Sequence, residues 1–342
     1  MTTVLPEDFQ AYLNCLPPAW RARATAVPAC SWWRWRDMDV HLVRGGSAAA
    51  TVRLLVLHGA GGHAGALWPL AALAVDRGYQ VVIPDLPGYG RSRVPDPGAV
   101  VYDHWVDCVT DLIRAEQGDG RPLVVLGASM GGLLGYSAAA RAGGVAHLLA
   151  TCLLDPSASR TWPALMRWGG AAGVRACRPL LRRLGPRAAR LRLPLRWLVP
   201  MHTIANDPAL RRLCVTDPRG GGGRMPLGFV RSFLFSQPTV APEAFTSPPV
   251  SLVHPGTDRW TPPAMSLPFF ERIAAPKRYV ELPEGGHYPI EPAALTALAD
   301  ELEWVRDEVA AGVTPRAASR DACDPGNGGR SDAWGDGRPR SP

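Results

Sequence analysis

An α/β fold with a mostly parallel central sheet and helices on both faces is what the sequence predicts, and three observations carry it. Short apolar runs of strand length alternate with helix-length segments along most of the chain. The runs are apolar nearly throughout rather than at every second position, as in strands covered on both faces. With 342 residues, 46% of them hydrophobic, the chain can fill one large core and still carry an insert.

Residues 32–43 alternate large and charged side chains and are expected to form an edge hairpin turning near Asp37-Met38-Asp39. The tryptophans there are read as core and edge packing. Residues 51–57 form a buried strand that runs into His58-Gly59-Ala60-Gly61-Gly62-His63. A helix over 66–77, a strand over 80–83 and a structured turn over 85–92 follow, then a helix over 103–116. The strand 122–126 meets Gly127-Ala128-Ser129-Met130-Gly131 and a helix over 133–141, and a further strand spans 148–154. Alternation resumes with the strand 250–253, a helix over 263–273, the strand 279–282 and a helix over 293–309.

Strand, sharp turn and helix with a serine at the apex make a nucleophile elbow, which lifts the hydroxyl off the sheet. The flanking glycines are a steric requirement, because side chains there would collide as strand and helix approach. The glycine-rich loop at 58–63 does not fit a dinucleotide cradle. Ala64 stands where the last glycine is expected, and the neighbourhood read as the ribose position, Val81 to Pro84, carries no acid. It is read instead as an oxyanion loop, with the backbone N–H groups of Ala60 and Met130 as the two donors. Asp258 follows the strand 250–253, and His287 lies on the loop after the strand 279–282.

The order Ser129, Asp258, His287 is that of the α/β-hydrolase superfamily, which this chain resembles over roughly residues 35–309. Within it the chain is similar to the monoacylglycerol lipase and lysophospholipase-like serine hydrolases. The resemblance rests on His58-Gly59-Ala60-Gly61, Ser129-Met130-Gly131-Gly132, Asp258-Arg259-Trp260-Thr261-Pro262 and Gly285-Gly286-His287. One departure is local: Pro255 displaces by one place a glycine that the family carries after His254. The resemblance implies an α/β-hydrolase fold with a helical cap insert and a Ser129–His287–Asp258 triad. A rival acid is Asp155, since some members place the acid after that earlier strand. His58 and His63 are read as loop scaffolding, and His41, His104, His147 and His202 have no partner that the sequence names.

The expected chemistry is hydrolysis of a small-molecule acyl ester through an acyl-enzyme on Ser129. It needs no metal and no organic cofactor. Thioester or C–C bond hydrolysis would use the same triad, and a non-catalytic receptor on the same fold is a third reading. Dehalogenase and epoxide-hydrolase chemistry are disfavoured, because those relatives carry an aspartate at the elbow.

The expected organisation is an N-terminal extension over 1–30, a core over 31–155 and 246–312, a cap insert over 156–245 and a disordered tail over 313–342. The insert has no Asp or Glu between Asp155 and Asp207, and it interleaves arginines from Arg175 to Arg196 with leucines. It supplies much of the net charge of +7. Two readings follow: weak contact with an anionic membrane surface, or a solvated helix face. Pro179, Pro186 and Pro194 break the segment into short helices, and Gly220-Gly221-Gly222-Gly223 reads as a flexible joint. No nucleic-acid motif accompanies the charge, so nucleic acid is not an expected partner. Seven scattered cysteines, an odd number with no C-x-x-C, suit reduced thiols in the cytoplasm. The chain start lacks an apolar leader and no run is long enough to span a bilayer, which supports the same compartment. The oligomeric state is left open.

Overall fold

The computed structural model describes residues 5–156 and 178–313. Eight strands form one sheet in the order β1-β2-β4-β3-β5-β6-β9-β10. They are β1 (Ala29–Trp35), β2 (Met38–Gly45), β3 (Arg53–Leu57), β4 (Gln80–Pro84), β5 (Leu123–Gly127), β6 (Val145–Ala150), β9 (Val250–Pro255) and β10 (Lys277–Leu282). From β4 to β10 every neighbouring pair is parallel. Only β2 runs against its neighbours β1 and β4. The expected edge hairpin is β1–β2, with Arg36-Asp37 between the strands.

Strand residues alternate between two buried layers. Leu55, Leu57, Leu123 and Val125 enter the core shared with α4 (Tyr102–Glu116) and α5 (Met130–Ala142). Leu54, Val56, Val124 and Leu126 face α3 (Ala64–Asp76) and the last helix, α9 (Pro292–Val313). Burial on both faces explains why these strands read as unbroken apolar runs. In α4, Trp105, Val106, Val109, Leu112 and Ile113 are buried while Arg114 is exposed, the stripe expected of a helix on a sheet.

The segment before β1 forms α1 (Glu7–Leu13) and α2 (Pro18–Arg23), which lie on α3. Phe9, Tyr12 and Leu13 are buried in the same core as Trp68. Ala29 and Cys30 already belong to β1. The strand expected to reach residue 154 ends at Ala150: β6 pairs with β9 only as far as Ala150, and Ser266 Oγ takes the Leu153 N–H.

Among the described residues, the insert consists of short pieces. A two-stranded sheet joins β7 (Arg192–Pro194) to β8 (Arg224–Pro226), and the longer helices are α6 (Pro208–Thr216) and α7 (Leu227–Leu234). Prolines open several of these elements, as a ring at the first helical position favours. The glycine run 220–223 is not a free joint. Gly220 and Gly221 are buried, and Gly222 and Gly223 donate to Asp217 O and Gly220 O in a closed turn. A Cβ on Gly220 would lie 2.6 Å from Gly61 O, so the glycine is set by close approach rather than by mobility. Leu180, Leu191 and Trp197 are exposed on the insert. Arg175 and Cys177 of the insert, and the tail beyond Val313, lie outside the described residues. Among those described, no helix is long and apolar enough to cross a membrane. The remaining core helix, α8 (Pro263–Phe270), follows β9.

Candidate active site

Ser129 sits between the end of β5 and the first residue of α5, with φ 56° and ψ −125°. That is a sparsely populated backbone for a residue with a side chain, and the surroundings hold it there. Its N–H donates to Thr151 Oγ1 at 2.8 Å. A Cβ on Gly127 would meet Gly131 O at 2.1 Å, and one on Gly131 would meet Leu57 O at 2.5 Å. Strand and helix therefore approach as closely as the elbow demands, and the N-terminus of α5 directs its partial positive charge toward Ser129.

His287 Nε2 lies 2.8 Å from Ser129 Oγ, and its Nδ1 lies 2.7 Å from Asp258 Oδ2. The loops after β5, β9 and β10 thus bring the three predicted residues together at one end of the sheet. Asp258, not Asp155, is the carboxylate on His287. Burial works to raise the Asp258 pKa, but the adjacent imidazole and the hydrogen bonds outweigh it and hold the carboxyl below its ordinary range. Oδ1 accepts from Trp260 N and Thr261 N at 2.8 and 2.9 Å, and Oδ2 also accepts from Thr261 Oγ1 at 2.8 Å. The Trp260 ring lies against His287, with centroids 4.7 Å apart.

Three supporting residues were not predicted. Thr261 Oγ1 is 3.1 Å from His287 Nδ1 and 3.2 Å from Cys152 Sγ, besides its bond to Asp258. A threonine three residues after an aspartate is a recognisable local pattern, so this one carried a signal. Thr151 and Cys152 carried none, because they reach the site only through the pairing of β5 with β6. Burial pushes the Cys152 thiol up to about 12, so it stays protonated. Cys152, His254 and Asp258 place ligand-type atoms within 4.8 Å of one another. Each Asp258 oxygen already accepts two hydrogen bonds, so this group reads as packing behind Asp258 and His287 and not as a metal centre.

The loop after β3 is fixed along its length. His58 Nδ1–H donates to Gly59 O at 2.8 Å, and Nε2 accepts from Leu86 N at 2.9 Å. Burial lowers the His58 pKa to about 4, which keeps the ring neutral and able to do both. His63 caps α3, accepting from Gly65 N, and its Nε2 meets Asp217 Oδ2 of the insert at 2.7 Å. Asp85 holds the neighbouring turn by accepting from Ala64 N and Arg91 N and by pairing with His41 Nδ1 at 2.8 Å. His147, also without a partner in the sequence reading, bonds Ser251 Oγ. The N–H groups of Ala60 and Met130 find no acceptor among the described residues. Both residues share a cavity wall with Ser129, where two free donors can receive an oxyanion.

Solved structures share this architecture. A soluble variant of monoglyceride lipase from Saccharomyces cerevisiae, in complex with a substrate analogue, is 16% identical with a TM-score of 0.68, covering 83% of this chain and 96% of that one. The monoacylglycerol lipase of Paleococcus ferrophilus is 21% identical with a TM-score of 0.62, covering 78% and 98%. At those identities the likeness is one of fold. Protein phosphatase methylesterase 1 of Mus musculus is 33% identical over 105 residues, 30% of this chain. That match spans 27% of the relative's length. The family model described as "Alpha/beta hydrolase family" matches residues 54–301, the sheet from Leu54 of β3 onward together with every residue of the site, and the chain belongs to that family.

Proposed function

We propose that the chain is a serine hydrolase that cleaves carboxylic esters through an acyl-enzyme on Ser129. The observation that carries this reading is the continuous hydrogen-bonded line from Ser129 Oγ through His287 to Asp258, at 2.8 and 2.7 Å. As Ser129 attacks the acyl carbon, His287 Nε2 takes its proton and Asp258 stabilises the imidazolium. The oxyanion forms against the Ala60 and Met130 N–H groups, each worth about 3 kcal/mol in the barrier. His287 returns the proton to the leaving alcohol. Water then enters by the same route and releases the acid.

The methylesterase relative and the fold shared with monoglyceride lipases support an ester over a C–C bond. The expected compartment is the cytoplasm, supported by free thiols at Cys15, Cys30, Cys108, Cys152 and Cys214. The insert is proposed to touch anionic membrane surfaces weakly, supported by exposed Leu180, Leu191 and Trp197 among arginines. Sedimentation with anionic vesicles that does not weaken with salt would contradict that contact.

The test of the reaction is hydrolysis of p-nitrophenyl esters from acetate to palmitate, with fluorophosphonate labelling alongside. Ser129→Ala is expected to lose at least about a thousandfold in kcat and all labelling. Labelling of the wild type without turnover of any ester would shift the assignment to C–C hydrolysis, and no labelling would favour a receptor.

A further inference from the structure

We propose that the ester cleaved at Ser129 bears uncharged, apolar groups on both sides of the scissile bond, the acyl chain under the insert and the alcohol in a separate chamber beside His287. This rests on the serine-hydrolase reading above. Ser129 and Ala60 form the meeting point of two cavities, since both residues line each of them. The first is walled by Leu198, Met225, Phe229, Val230, Phe233 and Leu234, all from the insert. The second lies toward α3 and is walled by Leu67, Leu70, Ile204, Tyr288 and Pro289, with His287 at its edge.

His287 fixes which group goes where. When the carbon–oxygen bond breaks, the leaving oxygen must take the proton that His287 Nε2 received from Ser129. His287 lines the second chamber and not the first. The alcohol therefore departs into the second chamber, and the acyl chain, bonded to Ser129 Oγ, occupies the first.

The chemistry of the walls then names the alcohol. Among the described residues, neither chamber is lined by Lys, Arg, Asp or Glu, so a phosphate-bearing head finds no cation. Polar side chains of the second chamber are already engaged. His58 uses both ring nitrogens, Thr151 Oγ1 accepts from Ser129 N, and the Tyr288 hydroxyl donates to Ala66 O. A glycerol head would meet a wall that is mainly apolar, with His58, Thr151 and Tyr288 already paired, and each hydroxyl left without a partner would cost about tenfold or more in affinity. A plain alkyl or aryl alcohol loses nothing and gains the apolar wall.

The test compares kcat/KM of the full chain on butyl hexanoate, methyl hexanoate, 1-monohexanoylglycerol and hexanoyl-CoA. The butyl ester is expected to exceed the monoglyceride by about tenfold or more, with the CoA thioester poorest. Leu67→Trp, which fills the second chamber, is expected to lower the butyl-to-methyl ratio by about tenfold. Leu70→Trp serves as the second variant should the first fail to fold, as thermal unfolding will report. A monoglyceride hydrolysed as well as the butyl ester, or a ratio unmoved in a folded variant, overturns the proposal while leaving the serine hydrolase in place. No hydrolysis of any of the four, together with no fluorophosphonate labelling of Ser129, overturns both.

Discussion

Asp217 Oδ2, in the turn after α6 of the insert, lies 2.7 Å from His63 Nε2, the residue that ends the loop after β3 and caps α3. The same oxygen accepts from the Tyr12 hydroxyl of α1 at 3.0 Å. One buried carboxylate thus ties together the insert, the N-terminal helix and the loop that carries the Ala60 N–H. Asp217→Ala would leave His63 Nε2–H and the Tyr12 hydroxyl buried without acceptors, at about 1–3 kcal/mol each. The expected outcome is a lower unfolding temperature together with a fall in kcat larger than the rise in KM. Asp217→Asn, which keeps an acceptor oxygen, is expected to recover part of both. A variant with a lowered melting point and untouched kcat would confine Asp217 to holding the fold.

Thr261 gives a sharper test of positioning. Its hydroxyl donates to Asp258 Oδ2 and sits 3.1 Å from His287 Nδ1. Thr261→Val keeps the volume and removes the hydroxyl, so Asp258 loses one of its four hydrogen bonds and the imidazole loses a neighbour that fixes its plane. A decrease of about tenfold in kcat with KM little changed is expected from steady-state kinetics, with recovery in Thr261→Ser. An unchanged kcat in Thr261→Val would show that the backbone N–H groups of Trp260 and Thr261 suffice to orient the acid.

What could be read from the sequence divides along physical lines. Buried parallel strands such as β3 and β5 are apolar throughout, and the residues after them are punctuated by glycine, so the sheet and the elbow were legible locally. Asp258 and His287 were legible because each follows an apolar strand on a short loop. Thr151 was not, since it reaches Ser129 by strand pairing across 22 residues of chain. His63 and Asp217 are separated by 154 residues, and no local pattern announces a contact made when an insert folds back over a loop. The glycine run 220–223 misled for the same reason: a local reading gives glycine its freedom, whereas the neighbours decide whether the chain uses it.

Acid should destabilise the fold in two stages. Burial lowers the pKa of His58 and His147 to about 4 and also depresses His254, against an ordinary 6.5. Between those values the unfolded chain binds protons that the native chain does not, so stability falls as pH drops from 6.5 toward 4. Each of the first two histidines contributes about 1 kcal/mol per pH unit in that window. A second stage follows below 3.8. Burial opposes the charge on Asp85, Asp217 and Asp258, yet hydrogen bonds from His41, His63 and His287 and from backbone N–H groups hold all three below that value. Their stabilisation is complete above 3.8 and is lost as pH falls through the native values. Urea unfolding at half-unit pH steps should show both stages. In His147→Gln the slope between pH 6.5 and 4 should be shallower, and an unaltered slope would remove His147 from the account.

The close approach at Gly220 predicts a pair of variants that behave in opposite ways. A Cβ on Gly220 would sit 2.6 Å from Gly61 O, and Gly220 belongs to the turn closed by Gly220 N→Asp217 O and Gly223 N→Gly220 O. Backbone cannot yield there without moving the loop that carries the Ala60 N–H. Gly220→Ala is therefore expected to cost about 1–3 kcal/mol in stability and to lower kcat/KM as well. Gly185 lies in the same insert at φ −69°, and a Cβ there meets nothing within 4 Å. Gly185→Ala should stay within about 0.5 kcal/mol of the parent and keep its kcat/KM. Thermal unfolding and ester hydrolysis measured on the two proteins side by side decide the matter. Equal behaviour of the pair would mean that the turn gives way freely and that the approach of Gly220 to Gly61 O does not hold the insert on the loop after β3.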